Sequence, residues 1–369
     1  MQDNNDIIPI GQMIFILMIA MVGAGILTLP RDLAEIVPYD HWIVLLAGGL
    51  VAIVGALIHG AIIRLKPRKQ YFEILCDALT KPIAYIVGLT YVLYLVGFIG
   101  LLTRIFGEVI KVYLLTNTPL EVITISILAA AIYSARKGIE VLGRMMQFGF
   151  PSVVTTIVFI FALSFTRSDF ANLLPVFEIT PAEILKGTPT TILSFIGIEM
   201  ILFFGVHLEQ PKKATKAYIA VVAILLFYML IVTATLAQFG PIQVKSLLWP
   251  TLDLFDTIEL PGLFIENIQV VVMSLWVLTI FSTTAPMFLA ATVMTESLTG
   301  SKDHAYLAAP FLPLVYLVSI IPENISKTYE IMNIYTRYVA SAMIFVVPLI
   351  VLISLVIQKK LRREEKVNV

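Results

Sequence analysis

Charged residues and cysteine are scarce in this sequence. Asp, Glu, Lys and Arg make up 14% of its 369 residues, and Cys76 is the single cysteine. Soluble domains are about 25% charged, and one cysteine cannot form a disulfide within the chain. These two shortages exclude an ordinary soluble domain and a disulfide-stabilised scaffold. The 25 basic residues also balance the 25 acidic ones, so no basic surplus indicates a nucleic-acid partner.

Motifs for common catalytic chemistries are missing as well. The sequence has no GxxxxGK[ST] loop for nucleotide phosphates, no HExxH pair for zinc and no GxSxG nucleophile turn. We therefore expect neither an enzyme nor a resident metal or cofactor, and ATP-driven transport is not indicated. The first residues, MQDNND, lack the basic start of a cleaved signal peptide, so the first apolar run is expected to stay in the mature protein.

Hydrophobic residues, in contrast, form 59% of the sequence, and the mean hydropathy is +0.94. This composition predicts an all-α polytopic membrane protein that forms one integral domain over residues 1–369. A spanning helix needs roughly 20 mostly apolar residues, and about ten segments meet this condition. They cover about 10–36, 41–64, 82–114, 119–135, 139–166, 188–208, 214–240, 263–298, 304–321 and 335–358.

The distribution of Lys and Arg predicts the orientation of these spans. With a cytoplasmic N-terminus, the inner loops and the C-terminal tail hold more than twice as many Lys and Arg residues as the outer loops. Both termini are therefore predicted to be cytoplasmic, with a basic tail at 359–369. An inner segment, 66–82, has the pattern of a short interfacial helix, and the acidic outer segment 241–262 is expected to pack over the mouth of the bundle.

An even division of the spans gives two halves of five, at about 8–166 and 186–358. Halves with an odd number of spans insert in opposite orientations, which is the condition for an inverted repeat. The first span of each half carries glycine near its middle, Gly23 and Gly25 in one and Gly197 in the other. An unwound turn there would present amides and carbonyls that suit a zwitterionic amino acid. The alternative is that these glycines only permit close helix packing.

Five short motifs follow one another in a fixed order along the chain. They are GAGILTLPR at 23–31, NLLPV at 172–176, SFIGIEMILF at 194–203, WPTLDLF at 249–255 and FIE at 264–266. In this order the sequence resembles the endospore germination permeases, the B subunits of nutrient germinant receptors, over about residues 8–360. The resemblance implies the five-plus-five inverted-repeat fold of the amino acid–polyamine–organocation superfamily, with spans 1 and 6 broken.

The same resemblance implies a function and partners. The protein would sense an amino acid or a similar small germinant in the spore inner membrane. It would act with a receptor A subunit and a lipoprotein C subunit, and start germination by signalling to them. The sequence leaves two alternatives open, an H⁺ or Na⁺ coupled amino acid transporter and a ligand-free scaffold subunit, because one fold can serve all three functions.

The ligand site implied by the resemblance lies between spans one, three, six and eight. Its residues are Gly23, Ala24, Gly25, Ile26, Tyr94, Phe98, Ser194, Phe195, Ile196, Gly197, Ile198, Glu199, Ser282, Thr283 and Thr284. Backbone groups of the broken spans would meet the charged ends of the ligand, and the two aromatic rings, one helical turn apart, would pack on it. The hydroxyls of span eight would bind the ligand or a sodium ion, or else the carbonyls of their own helix.

Ionisable side chains inside spans are costly to bury and therefore indicate function. Glu199 follows Gly197 by two residues, and three roles stay open for it. It can neutralise a cationic group, carry a proton, or fix the unwound turn through backbone amides. Arg104 and Glu108 are four residues apart on one span and are expected to pair with each other. His59 is expected to be a packed or snorkelling side chain.

Overall fold

The computed structural model describes residues 7–23, 25–37, 39–166, 168–257, 268–301 and 303–367. In these ranges the chain is helical, and its only β-type pairing is an isolated bridge between Ile8 and Leu208. The α-helices are α1 (Ile10–Met21), α2 (Gly25–Ile36), α3 (His41–Leu65), α4 (Tyr71–Ala78), α5 (Lys81–Tyr113), α6 (Leu120–Ala135), α7 (Ile139–Ser164), α8 (Pro181–Gly187), α9 (Met200–Phe204), α10 (Tyr218–Ser246), α11 (Pro250–Asp256), α12 (Ile268–Thr299), α13 (His304–Ile320), α14 (Ile325–Tyr335) and α15 (Val347–Val367).

Short stretches of other helix types join some of these elements. A 3₁₀ segment, Thr188–Phe195, precedes α9, and a second one, Pro211–Ala217, leads into α10. Two π-helical stretches, Thr336–Ala340 and Ala342–Val346, lie between α14 and α15. These last four elements therefore form one continuous helical rod whose middle is wound more loosely than an α-helix.

Among the residues described, six helical stretches are long and apolar enough to cross a membrane. They are His41–Leu65, Lys81–Tyr113, Ile139–Ser164, Pro211–Ser246, Trp276–Thr299 and Ile325–Leu361. Two more crossings are broken pairs, α1 with α2, bent by 56°, and the Pro181–Phe195 stretch with Met200–His207, bent by 41°. The helical membrane fold with broken spans at both predicted places is confirmed. The count of about ten spans needs the shorter helices α6 and α13 to cross as well, and it stays a prediction.

One succession of helix types occurs twice along the chain. A broken span is followed by a long helix, a short helix, a long helix, a shorter apolar helix and a final long helix. The first series runs from α1 to α7, and the second runs from the Thr188–Phe195 segment to α15. This is the order that a five-plus-five repeat predicts. The limits of the two halves, 8–166 and 186–358, stay a prediction.

The last span begins earlier than the hydropathy pattern predicts. Its helix starts at Ile325, about ten residues before the predicted start. The side chain of Asn324 accepts a hydrogen bond of 2.9 Å from the backbone N–H of Lys327 and so caps the first turn. Because this first part of the helix is polar, a search for apolar runs cannot find it.

The short helix predicted within 66–82 is present as α4, and the segment 241–262 also contains a helix, α11. On the side predicted to be inner, α4 buries Tyr71 and Leu75 against the bundle. On the side predicted to be outer, Thr251 of α11 donates a hydrogen bond of 2.7 Å to the carbonyl of Ile26, so α11 contacts the second half of the first span. That the whole segment covers the mouth of the bundle stays a prediction. The remainder of the predicted outer segment, 258–262, lies outside the described residues. The expected pair of Arg104 and Glu108 is confirmed at 3.0 Å.

Asp40 attaches residues 177–179 to the start of α3. Its carboxylate accepts hydrogen bonds from the backbone N–H groups of Phe177 at 2.8 Å, Glu178 at 2.7 Å and Ile179 at 3.3 Å. Burial opposes ionisation of this carboxyl, but the three amides outweigh burial and hold the pKa of Asp40 below its ordinary value. The negative charge of Asp40 therefore holds residues 177–179 in place.

We expect Asp40→Asn to increase hydrogen exchange at residues 177–179 about fivefold or more near neutral pH, because a charged acceptor is replaced by a neutral one.

The folded pKa of Asp40 is lowered, so its stabilisation is full above the ordinary value of about 4 and disappears as the pH falls through the folded value. Exchange corrected for intrinsic rates should show this acid-dependent loss in the wild type and not in the variant. Glu178→Gln removes the same charge from within residues 177–179 and should behave like the wild type. Equal protection in Asp40→Asn and the wild type would contradict the assignment.

Candidate ligand site at the broken helices

The two breaks pack against each other, and each needs a glycine for this contact. At Gly197 the backbone has φ +119°, and a β-carbon would lie 2.7 Å from the carbonyl carbon of Ala20 on α1. At Gly25 a β-carbon would lie 2.7 Å from the Cα of Ser194. Real β-carbons do not approach backbone so closely, so both glycines permit the contact between the broken spans.

The break in the first span leaves carbonyl groups at the end of α1 with few helix partners, and side chains of other helices donate to them. Within α1 the carbonyl of Ile19 keeps one bond of 3.3 Å, from the N–H of Val22. Thr283 of α12 donates to the carbonyl of Ile19 at 2.9 Å, and Tyr228 of α10 donates to the carbonyl of Met21 at 2.8 Å. Buried backbone acceptors need such partners where water is excluded. The end of α1 is thus connected by side-chain hydroxyls to the seventh and eighth predicted spans.

Glu199 fixes the break in the sixth span. It is fully buried, and one carboxylate oxygen accepts the backbone N–H of Gly197 at 2.8 Å. The other oxygen accepts the hydroxyl of Tyr94 at 2.8 Å. Within the described chain, no Lys, Arg or His nitrogen lies within 4.0 Å of this carboxylate. Of the three roles that the sequence left open, this geometry corresponds to fixing the unwound turn.

Two further side chains extend this network to the last span. Tyr335 donates to the backbone carbonyl of Tyr94 at 2.6 Å, and the two rings stack with centroids 6.2 Å apart. His59 is fully buried, with Nε2 at 2.8 Å from the carbonyl of Ile344 and Nδ1 at 3.4 Å from the carbonyl of Ile198. A neutral imidazole carries one N–H, and the shorter distance assigns it to Ile344. His59 is therefore packed, as expected, between the sixth span and the π-helical region.

The structure brings the predicted residues of four spans together. A β-carbon on Gly23 would lie 3.1 Å from the side chain of Thr283, so the first and eighth predicted spans touch at the break. The rings of Tyr94 and Phe98 are 6.4 Å apart and buried. Phe195 packs edge-on against Tyr228, with ring centroids 6.1 Å apart.

The remaining predicted residues differ in their surroundings. Ile26, Ser194, Ile196 and Ile198 are buried, and Ser282 is half-buried. Thr284 is also buried, but its hydroxyl donates only to Ile280 and Phe281 of its own helix. Ala24 lies outside the described residues. Tyr228 and Tyr335 were not among the predicted site residues. The sequence did carry a signal for them, because a tyrosine hydroxyl inside an apolar span needs a hydrogen-bond partner.

Thr283 and Thr284 are neighbours with the same side chain and different contacts. Thr283→Val would leave the carbonyl of Ile19 with only the longer bond of 3.3 Å from the backbone N–H of Val22, and loss of the hydroxyl bond costs about 0.5–1.5 kcal/mol. We expect a clear fall in the melting temperature and weaker amino acid binding for this variant. Thr284→Val removes only bonds within one helix and should change both far less. Equal effects of the two substitutions, measured by thermal unfolding and equilibrium binding, would contradict the assignment.

Cavities lie on both sides of the packed breaks. One, on the side predicted to be outer and called the outer cavity below, has a volume of about 420 Å³ and is lined by Asp32, Leu193 and Arg337, among others. The other, on the side predicted to be inner and called the inner cavity, has a volume of about 340 Å³ and is lined by residues that include His207 and His304. Among the residues described, no group of three or more His, Cys, Asp and Glu side chains is placed to hold a metal ion.

Solved structures with the same fold include transporters. The structure of MhsT in complex with L-phenylalanine superposes with a TM-score of 0.65 at 15% identity, covering 94% of this chain and 97% of that one. A Na⁺-coupled sialic acid symporter in its substrate-bound, outward-open state gives a TM-score of 0.62 at 16% identity, covering 92% and 79% of the two chains. At these identities the similarity establishes the fold alone.

Sequence comparison identifies the family. Spore germination protein YndE of Bacillus subtilis (strain 168) is 26% identical over 94% of both chains. Spore germination protein A2 of the same organism is 32% identical over 71% of this chain and 73% of its own length. The family model described as spore germination protein matches residues 7–328. With this match over most of its length, the chain belongs to the spore germination protein family.

Proposed function

We propose that this protein is the germinant-sensing subunit of a spore nutrient receptor, and that an amino acid binds where the first and sixth spans are broken. The observation that supports this most is the mutual contact of the two breaks through Gly25 and Gly197. A contact of this kind places unwound backbone from both halves of the fold side by side. The family membership supports a role in germination, and the fold shared with an amino acid complex supports the class of ligand.

The hydrogen bonds at the end of α1 suggest how binding would move helices. An ammonium group entering the break would compete with Thr283 for the carbonyl of Ile19 and with Tyr228 for the carbonyl of Met21. The start of α2 at Gly25 offers backbone amides for a carboxylate. Release of the two hydroxyls would free the first span from the seventh and eighth. A ligand shifts such an equilibrium in proportion to its differential affinity for the two arrangements.

The proposal includes partners and a location. The helix rearrangement would pass to a receptor A subunit and a lipoprotein C subunit, with this protein in the spore inner membrane and both termini cytoplasmic. The sequence resemblance to germination permeases and the relatives named spore germination proteins support this assignment.

A coupled amino acid transporter is the second candidate. The fold of a Na⁺-coupled symporter and the presence of separate outer and inner cavities favour it. A transporter exposes its site alternately to these two sides, whereas a receptor needs only one of them. Net movement of the ligand therefore separates the two functions.

The test is to measure binding and uptake together. The full chain is reconstituted in liposomes and supplied with radiolabelled L-alanine, L-valine and L-phenylalanine, with and without imposed H⁺ and Na⁺ gradients. Saturable binding without accumulation is the expected result. Gradient-driven accumulation would establish the transporter instead, and no saturable binding would leave a ligand-free scaffold. Gly25→Leu should abolish binding while the protein still inserts, and Gly149→Leu, at a glycine with open space around it, is its control.

A further inference from the structure

The outer cavity has the size and position of a binding site in its own right. Its volume of about 420 Å³ falls within the range of about 300–1,000 Å³ that is typical of small-molecule pockets. It lies between the outer halves of the two broken spans and the π-helical region of the last span. Leu193 forms part of its lining, and the next residue, Ser194, lies within van der Waals reach of Gly25. An occupant would therefore sit directly outside the breaks.

Charges of both signs face this cavity from different elements. Asp32 and Glu35 come from α2, Lys186 comes from α8, and Arg337 comes from the Thr336–Ala340 stretch. Arg31 lies 3.2 Å from Glu35 and 3.9 Å from Asp32, so it pairs more closely with Glu35. For Lys186 and Arg337, no carboxylate of the described chain lies within 4.0 Å. The cavity thus offers two cations and a loosely paired carboxylate.

Thr336 gives an independent indication of a ligand. It lines the cavity and is only 4% exposed, and among the residues that the structure describes its hydroxyl has no hydrogen-bond partner. A buried polar group without a partner costs about 1–3 kcal/mol, so such groups are rare. Thr336 also begins a π-helical stretch, and wide turns of this kind occur frequently at functional sites.

We propose that the outer cavity is a second binding site, which takes a small zwitterion of the amino acid class. The carboxylate would lie against Arg337 and Lys186, the ammonium against Asp32, and the Thr336 hydroxyl would bond the carboxylate. The identity of the zwitterion as an amino acid rests on the proposed function, and the site itself rests on the cavity and its polar groups. The site holds the ligand immediately before it reaches the breaks.

A single-cysteine protection assay tests the site directly. Cys76→Ser provides a cysteine-free chain, and Asn333→Cys places one thiol on the cavity lining. In the full chain in nanodiscs, we expect L-alanine and L-valine to slow labelling of this thiol by a cationic methanethiosulfonate at least fivefold. N-acetylalanine amide, which has neither charge, should not protect it. Leu115→Cys, at an exposed outer position away from the cavity, should be labelled equally with and without amino acid.

Variants in this background identify the groups that bind. Arg337→Gln and Thr336→Val should each raise the half-protecting concentration about tenfold, as expected for the loss of one hydrogen bond to a charged group. Lys327→Gln removes a cation from the same span, where it pairs with Glu330, and should leave the concentration unchanged. Normal protection in Arg337→Gln and Thr336→Val would overturn the proposal.

Gly25→Leu separates this site from the central one. Protection should persist in this variant although central binding is lost, and loss of both would overturn the proposal of a second site. Protection by glycerophosphoethanolamine in place of amino acids would assign the cavity to a lipid headgroup and overturn the amino acid assignment. If amino acids protect the thiol in the wild type but equilibrium binding shows a single class of site, the outer site stands and the proposed binding at the breaks is wrong.

Discussion

Gly197→Ala is expected to weaken amino acid binding at least tenfold and to lower the melting temperature by several degrees. At φ +119° an L side chain is strained, which costs on the order of 1–3 kcal/mol by itself. The added β-carbon would also lie 2.7 Å from the carbonyl carbon of Ala20, and a backbone atom cannot move aside as a flexible side chain can. The break in the sixth span must therefore shift away from α1. Thermal unfolding and equilibrium binding of purified protein measure the two effects.

Two further glycine variants show whether the backbone strain at Gly197 or the clash with neighbouring backbone dominates. Gly11→Ala on α1 adds a methyl group into open space and should be neutral or slightly stabilising. Gly25→Ala introduces a similar backbone clash, with Ser194, at a position inside α2 where the backbone is helical. If the clash dominates, Gly25→Ala and Gly197→Ala should be similarly damaging. If Gly197→Ala binds the amino acid as tightly as the wild type does, the break of the sixth span is not part of the ligand site.

The fold was largely predictable because membrane helices depend on local sequence. Apolar runs of sufficient length locate the spans, and glycine in the first span of each half locates the breaks at Gly25 and Gly197. Hydropathy does not reveal the first part of the last span's helix, because its beginning depends on the Asn324 cap and not on apolar residues. Local patterns thus predict where a helix crosses more reliably than where it begins.

The site was predictable only in part, because its contacts join distant parts of the chain. Tyr228 reaches a carbonyl of α1 from the seventh predicted span, and no periodicity of α10 alone reveals that partner. Thr283 and Thr284 illustrate the same limit within one motif. Successive residues of a helix point about 100° apart, so the hydroxyl of Thr283 reaches α1 as well as the carbonyl of Thr279, whereas the hydroxyl of Thr284 reaches only carbonyls of its own helix among the described residues. Sequence indicates that two hydroxyls are present, and tertiary packing decides which one joins the helices.

Glu199→Ala is expected to destabilise the protein much more than Glu199→Gln. Alanine leaves the N–H of Gly197 and the hydroxyl of Tyr94 without their acceptor, at about 1–3 kcal/mol for each buried group. Glutamine keeps one carbonyl oxygen for the Gly197 amide, so the unwound turn should survive with most of the binding affinity. Thermal unfolding and equilibrium binding of a neutral amino acid provide the comparison.

A double-mutant cycle between Tyr94 and Glu199 distinguishes a structural carboxylate from one that binds the ligand. Tyr94→Phe should be costly in the wild type and neutral to stabilising in Glu199→Ala, where it removes a hydroxyl that has already lost its acceptor, and the coupling should be about 0.5–3 kcal/mol. Tyr133→Phe, at an exposed ring, should show no coupling. If Glu199→Gln instead lost binding at least tenfold with an unchanged melting temperature, the charge would be acting on the ligand. Its hydrogen bonds to Gly197 and Tyr94 would then hold that charge in place beside the break, and the fixed turn would be the means of presenting it.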